Sequence, residues 1–504
     1  MPVQSPHPDY EKMDPMWQKE RLALKGEDAV KLAKEKFLPR LAGMDDAEFD
    51  NYVLRAMYYA AAKRTVQGLV GAILRKDVEI TFPQEDVLDS IGQDGRSMNQ
   101  LISEQLSEVV GIGRFGHLVD ASNVDGSDPY IASYAAESIV NWREAVFEGK
   151  KVTTMIVLAE TRSVPIPEDP FRQDSLKIFR VLKLGIPTVP GRFGSLSPED
   201  RLIAFGVKAS DIQDGPIYFQ EIWVEVKEDA DGQPTEMYEH EDTVVPKMAG
   251  GRVLHEIPFT FYNSEDLEPP PKVGPLLDLI NVNFSHYRNS ADLEHGRHFT
   301  ALPTAWVAGF DPSSTHLKIG SAVAWVTEEV AARAGFLEFT GAGLGHLAEG
   351  MVQKEHLMAV LGARLLEEQK TGIEAADTVK LRHSGESSVL SLISQSAARG
   401  LTRTLKLVAD WMSSSASEVR VELNTDFDTN GLDPRVIAEL IKAAQAGLMS
   451  WDTFFINMKR GELVPSGRTA DEELSLIKSV PIDDASNASV APAPEGSSQS
   501  LEEK

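Results

Sequence analysis

Four short segments carry residues whose types and spacing could do chemistry. Gly111-Ile112-Gly113-Arg114-Phe115-Gly116 matches G-x-G-x-x-G, whose glycines let the backbone approach a dinucleotide pyrophosphate. That chemistry needs a strand before the motif and a helix after it, so that the helix N-terminus faces the phosphates. Here Met98 to Val110 has helical periodicity and His117 to Val119 reads as a strand, so the segment reads as a helix C-cap and tight turn. Gly341-Ala342-Gly343-Leu344-Gly345 lies between a strand and a helix, but the Lys-Ser/Thr ending of a P-loop is missing, which leaves a flexible junction. Asp426, Asp428, Asn430 and Gly431 open like a calcium-binding loop. Its twelfth position is Ile437 rather than a bidentate Glu, and Pro434 interrupts it, so a helix-initiating turn is expected. His295 and His298 lie near Asp292 and Glu294 without a third committed metal ligand.

Cations are the remaining candidates. Lys380, Arg382 and His383 sit between Gly372 and Gly385, amid Glu374, Asp377 and Glu386. That mixture gives a few transient phosphate contacts without strong net attraction. Arg399, Arg403 and Lys406 recur at helical steps and fall opposite the apolar stripe Leu390, Ile393, Ala397, Leu401, Leu405, Val408 and Met412. They form either a solvated face or, in a ring, a face that meets a neighbour or DNA. No G-x-S-x-G or H-E-x-x-H occurs. No catalytic residue, cofactor or metal is therefore expected.

The elements that must position these groups follow from periodicity. Gly26 to Leu41 reads as a short helix stopped by Pro39, and Ala47 to Leu74 as one long helix. A strand over Val78 to Phe82 follows. From Ile131 to Tyr262 the period shifts toward two, with strands at Met155 to Leu158, Ile178 to Leu184 and Tyr218 to Val226. In the last of these Tyr218, Ile222, Val224 and Val226 share a face, and Asp231-Gly232 supplies a hairpin turn after it. Ile257, Phe259 and Phe261 alternate in a further strand. No helices separate these strands, which predicts an antiparallel α+β region.

Pro269-Pro270-Pro271 breaks the chain, and Pro275 can occupy the first turn of a helix with Leu276, Ile280, Phe284, Tyr287 and Ala291 on one stripe. Short strands are expected at Ala305 to Ala308, Leu317 to Val326 and Gly335 to Thr340. A helix from about Gln353, the polar loop Thr371 to Ser388 and the long amphipathic helix ending near Trp411 come next. A strand at Val419 to Leu423 and helices around Val436 to Ala446 and Trp451 to Met458 complete the pattern. Pro481 to Lys504 is rich in Ser, Ala and Pro, the composition of a disordered tail.

At 504 residues the chain is too long for one ordinary core, and with 42% apolar and 25% charged residues it can bury a sizeable one. No apolar run approaches a membrane span, and the polar start MPVQSPHPDYEKMD lacks a signal-peptide core. The absence of Cys removes disulfides and thiol chemistry, which fits synthesis in a reducing cytoplasm. A net charge of −27 argues against tight nucleic-acid binding, which relies on clustered Lys and Arg. It still permits a channel through which a duplex slides, because few fixed cations mean few sticking points.

With these elements in place, the chain resembles the portal proteins of tailed bacteriophages, in particular the portal-like group long catalogued as a domain of unknown function. The resemblance runs over roughly residues 10 to 460 in element order. It is carried by GEDAVKLAKEKFLPRL, YYAAAKRTVQGLVGAILRKDVEI, GRFGHLVD, DPYIASYAAESIVNWRE, IGSAVAWVTEE, HLMAVLGARLLEEQ and SSVLSLISQSAARGLTRTLKLVADWM.

The resemblance implies an α+β subunit of a ring, usually dodecameric, at one capsid vertex of the virion, assembled in the host cytoplasm. Double-stranded DNA passes through its channel, driven by the terminase large subunit. Major capsid or scaffold protein and a head–tail adaptor dock on it, and no membrane is involved. Residues 1–272 would form the wing, 273–299 a stem helix, 300–345 the clip and 346–370 the second stem helix. The tunnel loop would be 371–388, with Lys380, Arg382 and His383 facing DNA. Residues 389–430 would be the long helix and return to the wing, 431–478 the crown, and 479–504 a disordered tail. Leu276, Ile280, Phe284 and Tyr287 would be partly buried between subunits, since a closed ring can cover faces that lack an internal partner. The alternatives are a nucleotide-dependent oxidoreductase built on a Gly-rich turn, or another head–tail connector or scaffold component. Scaffolds are typically poor in strands, and adaptors are usually shorter.

Overall fold

The computed structural model describes residues 2–122, 128–147, 149–166, 169–187, 197–208, 211, 215–228, 234–301, 304–309, 325–326, 329–337, 341–363, 389–425, 427, 434–446, 448–460, 463–464 and 468–479. It divides into two units, Met1–Phe427 and Asp428–Lys504. In chain order the first unit contains α1 (Pro8–Lys25), α2 (Glu27–Leu32), α3 (Asp46–Arg55), α4 (Ala61–Ile73), β1 (Glu79–Thr81), α5 (Met98–Gly111), β2 (Arg114–Ala121) and β3 (Pro129–Ala135). There follow β4 (Ile139–Phe147), β5 (Lys150–Ile166), β6 (Asp169–Gly185), α6 (Pro198–Ala204), β7 (Ile217–Glu228), β8 (Pro234–Val244) and β9 (Phe259–Asn263). It ends with α7 (Leu277–Ala301), β10 (Thr304–Ala308), β11 (Arg333–Leu337), α8 (Ala342–Ala363), α9 (Val389–Trp411) and β12 (Arg420–Glu422).

The fold class is α+β. The paired strands are antiparallel, in a β3-β2-β9 sheet, a β4-β5-β6-β7-β8 meander, and the pairs β1-β12 and β10-β11. The base of the meander is covered on both faces. Ile156, Leu158, Leu182 and Tyr218 enter the main core, while Val157, Phe179, Val181 and Trp223 close a smaller cluster behind them. Of the four residues predicted to share a face of β7, Tyr218 is buried and Ile222, Val224 and Val226 are half-buried. The strands also run well past the expected spans. Toward their distal ends, pairs such as Arg162↔Leu176 and Ser163↔Ser175 are largely exposed and give no alternation to read. The Asp231-Gly232 turn and the tail from 480 lie outside the described residues.

Two helical expectations are corrected. The N-terminal segment forms α1, with Pro8 at its first position and Met13, Trp17 and Ala23 buried at helical spacing. Gly26, at φ 99, then turns the chain into the short α2, so the predicted helix over Gly26 to Leu41 shrinks to six residues.

The predicted single helix from Ala47 to Leu74 is broken between Arg55 and Ala61, where Ala56 is extended. The freed backbone groups are taken up by two side chains of α7. Asn283 accepts from Ala62 N at 3.3 Å and donates to Tyr59 O at 2.7 Å. Ser290 accepts from Met57 N and donates to Met57 O, both at 2.8 Å. Buried backbone polar groups need partners, and here a neighbouring helix supplies them.

The main core gathers α3, α4, α5, β2, β3, β9, α7 and α9. Its central helix, α9, buries Leu390, Ile393, Ala397, Leu401, Leu405 and Val408 as the periodicity predicts. Gly400 is required where it stands, since a side chain there would overlap the ring of Tyr262 on β9. The second unit contains α10 (Pro434–Gln445), α11 (Trp451–Arg460) and α12 (Ala470–Ser479), the last unanticipated.

Candidate functional site

Helices α7 and α8 form a hairpin. Lys354 Nζ donates to Ser285 O at 3.1 Å, and His286 Nε2 meets Glu355 Oε1 at 3.1 Å. Gly296 packs on Leu344, and Gly362 approaches Leu279 and Thr65. These pairs run in opposite directions along the two helices, which sets them antiparallel. The β10-β11 pair lies between them in sequence, with register Thr304↔Leu337 to Ala308↔Arg333. This pair was expected. Of the predicted strand over Leu317 to Val326, residues 317–324 lie outside the described residues, and Trp325 and Val326 are not in a strand. Helix α8 starts at Ala342, eleven residues before the expected Gln353, so the Gly341–Gly345 segment forms its first turn rather than a flexible junction.

The stripe Leu276, Ile280, Phe284, Tyr287 and Ala291 is buried, but against its own chain. Phe284 stacks on Phe37 with centroids 4.1 Å apart, and Tyr287 meets Tyr58 edge-on at 5.9 Å. The expectation that Leu276, Ile280, Phe284 and Tyr287 are partly covered by a neighbouring subunit is therefore corrected. Residues of the segment running from α1 to α4, Phe37 and Tyr58 among them, already fill that role. On α8 the hairpin leaves apolar surface open, where Val352 and Leu357 are 63% and 45% exposed.

At the root of α7 the chain makes a close crossing. Gly113, at φ 87, lies so near Gly274 that a Cβ would come within 2.9 Å of its Cα. The Glu20 carboxyl packs on the other side of Gly274, buried and with neither oxygen hydrogen-bonded. Desolvation raises its pKa to about 8, Glu137 adds to the rise, and Lys19 and Arg21 oppose it. Arg21 is committed to Glu108 and Glu137. A folded-state pKa raised above the unfolded value makes folding bind a proton. Stability should therefore fall as pH climbs from about 4.5 toward about 8, by at most about 1.4 kcal/mol per pH unit. Glu20→Gln should abolish that component, so its denaturation midpoint should exceed the wild type's by a margin that grows between pH 6 and 8. A constant difference across that range would show that Glu20 does not titrate there.

The basic stripe lies where the periodicity places it. Arg399, Arg403 and Lys406 are exposed on the face of α9 opposite the core, and Arg403 reaches Glu256 only at 3.5 Å. The buried face is wider than the apolar stripe, because Ser394, Thr402 and Thr404 each find a partner. Ser394 donates to Asn424 O, Thr402 accepts from Val421 N, and Thr404 pairs with the Tyr262 hydroxyl at 2.7 Å. Lys380, Arg382 and His383 lie outside the described residues.

The first Gly-rich turn and the histidine pair resolve as local structure. In the Gly111–Gly116 segment α5 precedes and β2 follows, and Gly113 N caps Val109 O at 3.0 Å, so no helix N-terminus faces a phosphate. Helix α10 begins at Pro434, and most of the calcium-loop-like segment before it lies outside the described residues. His298 Nε2 is 3.2 Å from Arg55 Nη2, and His295 stacks edge-on against Tyr52 and Phe299. Among the described residues, no group of three or more His, Asp or Glu is placed to hold a metal ion, and no helix is long and apolar enough to cross a membrane. Asn283 and Ser290, which fix the α3–α4 break, carry no sequence signal beyond being polar residues beside an apolar stripe.

Residues 275–412 match a family described as "Domain of unknown function (DUF4055)", a span that takes in α7, β10, β11, α8 and α9. No curated protein matches. Among solved structures, the chain is similar to one in "Virion of native gene transfer agent (GTA) particle", with 12% identity and a TM-score of 0.36 over 88% of this chain and 99% of that one. It is also similar to a chain in "Neck of native GTA particle computed with C12 symmetry", at 11% identity and TM-score 0.33 over 80% and 90%. A third, in "Neck of empty GTA particle computed with C6 symmetry", has 12% identity and TM-score 0.34 over 86% and 98%.

Proposed function

We propose that this chain is a structural component of the head–neck region of a virion, and specifically a portal subunit: one of a ring of identical copies around a DNA channel. The observation that carries the reading is the antiparallel α7–α8 hairpin with a β-pair between its helices, followed by a long helix with one face in the core and a row of exposed cations on the other. A hairpin of this kind suits a ring's neck, and the exposed Val352 and Leu357 on α8 offer apolar surface for an identical neighbour. The resemblance in element order assigns the wing, stem, clip, tunnel loop and crown as given above.

On this reading the chain is not an enzyme. Its partners are further copies of itself, double-stranded DNA in transit, the terminase large subunit, major capsid or scaffold protein, and a head–tail adaptor. Exposed cations spaced along a helix, in a protein of net charge −27, allow phosphate contacts that are few and easily broken.

Particles assembled without this chain should contain no packaged DNA, and supplying the wild-type chain should restore it. The double variant Lys380→Glu, Arg382→Glu should leave assembly intact and reduce the packaged or retained genome, read as DNA per purified particle. Variant particles holding a full genome would show that these two cations do no such work, and DNA-filled particles lacking the chain altogether would contradict the portal reading itself.

A further inference from the structure

An open cavity of about 360 Å³ lies beside the C-terminal part of α7, lined by Leu41 to Met44, Glu48, Asn51, Arg55, His295, His298 and Phe299. Its size falls in the range of small-ligand sites. One wall is cationic or hydrogen-bond donating. Arg55 has His298 as its side-chain partner at 3.2 Å, and because a guanidinium only donates, His298 Nε2 must accept, which puts the ring proton on Nδ1. His295 Nδ1 is buried without a partner.

Of the carboxylates nearby, Glu48 in the lining and Asp292 both act on His295, but none pairs with Arg55 among the described residues. Glu48 accepts from Asp45 N in the cap of α3, Asp292 accepts from the Tyr52 hydroxyl, and Glu294 pairs with Arg297. In a chain with 77 acidic and 50 basic residues, an arginine that faces a cavity beside two histidines with no carboxylate paired to it among the described residues stands out. Burial, with Arg55 and His298 adding to it, holds the His295 pKa below its usual value, against the opposing pull of Asp292 and Glu48. The fork of Arg55 is then the group that an anion would neutralise, and bidentate pairing with a planar or tetrahedral oxyanion is the geometry it favours. Leu41 and Phe299, both exposed at the rim, would contact an apolar stem attached to such a group.

We propose that this cavity binds an oxyanion, carboxylate or phosphate, held by Arg55 and oriented by His295 and His298. The site is independent of the portal reading.

Isothermal titration of the full-length protein with succinate, and separately with inorganic phosphate, at fixed ionic strength and pH 7 tests it. At least one should give a saturable isotherm, and which one does so distinguishes a carboxylate from a phosphate ligand. Arg55→Gln should weaken that binding at least tenfold, while Arg403→Gln, on the exposed face of α9, should leave it unchanged. If Arg55→Gln does not fold by circular dichroism, His298→Gln gives the same readout from the other side of the cavity. The absence of saturable heat with both anions, or binding that these cavity variants leave unaltered, overturns the proposal.

Discussion

Phe284→Ala is expected to destabilise the protein by about 3–5 kcal/mol, the usual cost of emptying a buried aromatic site. Phe284 is 1% exposed, stacks on Phe37 and packs beside Tyr58, so little around it can collapse into the space. Phe284→Asp should go further, because an unpaired carboxylate would sit in the main core. That variant is expected to be insoluble or unfolded. Denaturant titration followed by tryptophan fluorescence reads the alanine effect, and circular dichroism with light scattering reads the aspartate one. A Phe284→Asp chain that stays folded and only lowers the assembly mass would place the side chain between subunits instead, contrary to the packing described.

Asn283→Leu is the second large effect. The asparagine is fully buried and answers the backbone within the α3–α4 break and at the start of α4, with the Tyr58 hydroxyl as a third partner at 3.1 Å. Leucine has similar volume but leaves Ala62 N–H and Tyr59 C=O without their partner. Each orphaned buried group costs about 1–3 kcal/mol, so a loss of roughly 2–6 kcal/mol is expected. Hydrogen exchange should show the loss concentrated at Tyr58 to Ala62. An unchanged midpoint and unchanged exchange there would mean that the break is held by something other than Asn283.

The sequence made legible those elements whose signal is local. Helix α5 and strand β2 around the Gly111–Gly116 turn, the α7 stripe and the α9 stripe all follow from spacing alone, and so does the α+β class. The α3–α4 break was hidden because the residues that make it affordable, Asn283 and Ser290, lie more than 220 positions downstream. Periodicity also states that a face is buried without stating against what. Leu276, Ile280, Phe284 and Tyr287 were correctly grouped, yet their partners are Phe37, Tyr58 and their neighbours rather than a second copy. The cavity has the same character, since Arg55 and His298 are 243 positions apart. Helix α1 was obscured by Pro8, Pro15 and a buried Glu20 in the middle of its stripe.

The central claim is that identical copies of this chain close into a ring. Light scattering on the purified full-length protein, over a range of concentrations and at low and high salt, tests it most directly. The account predicts a discrete mass that is a high multiple of the 55.3 kDa chain, near twelve copies, and independent of concentration once formed. A single species of 55.3 kDa at every concentration and salt level would contradict it.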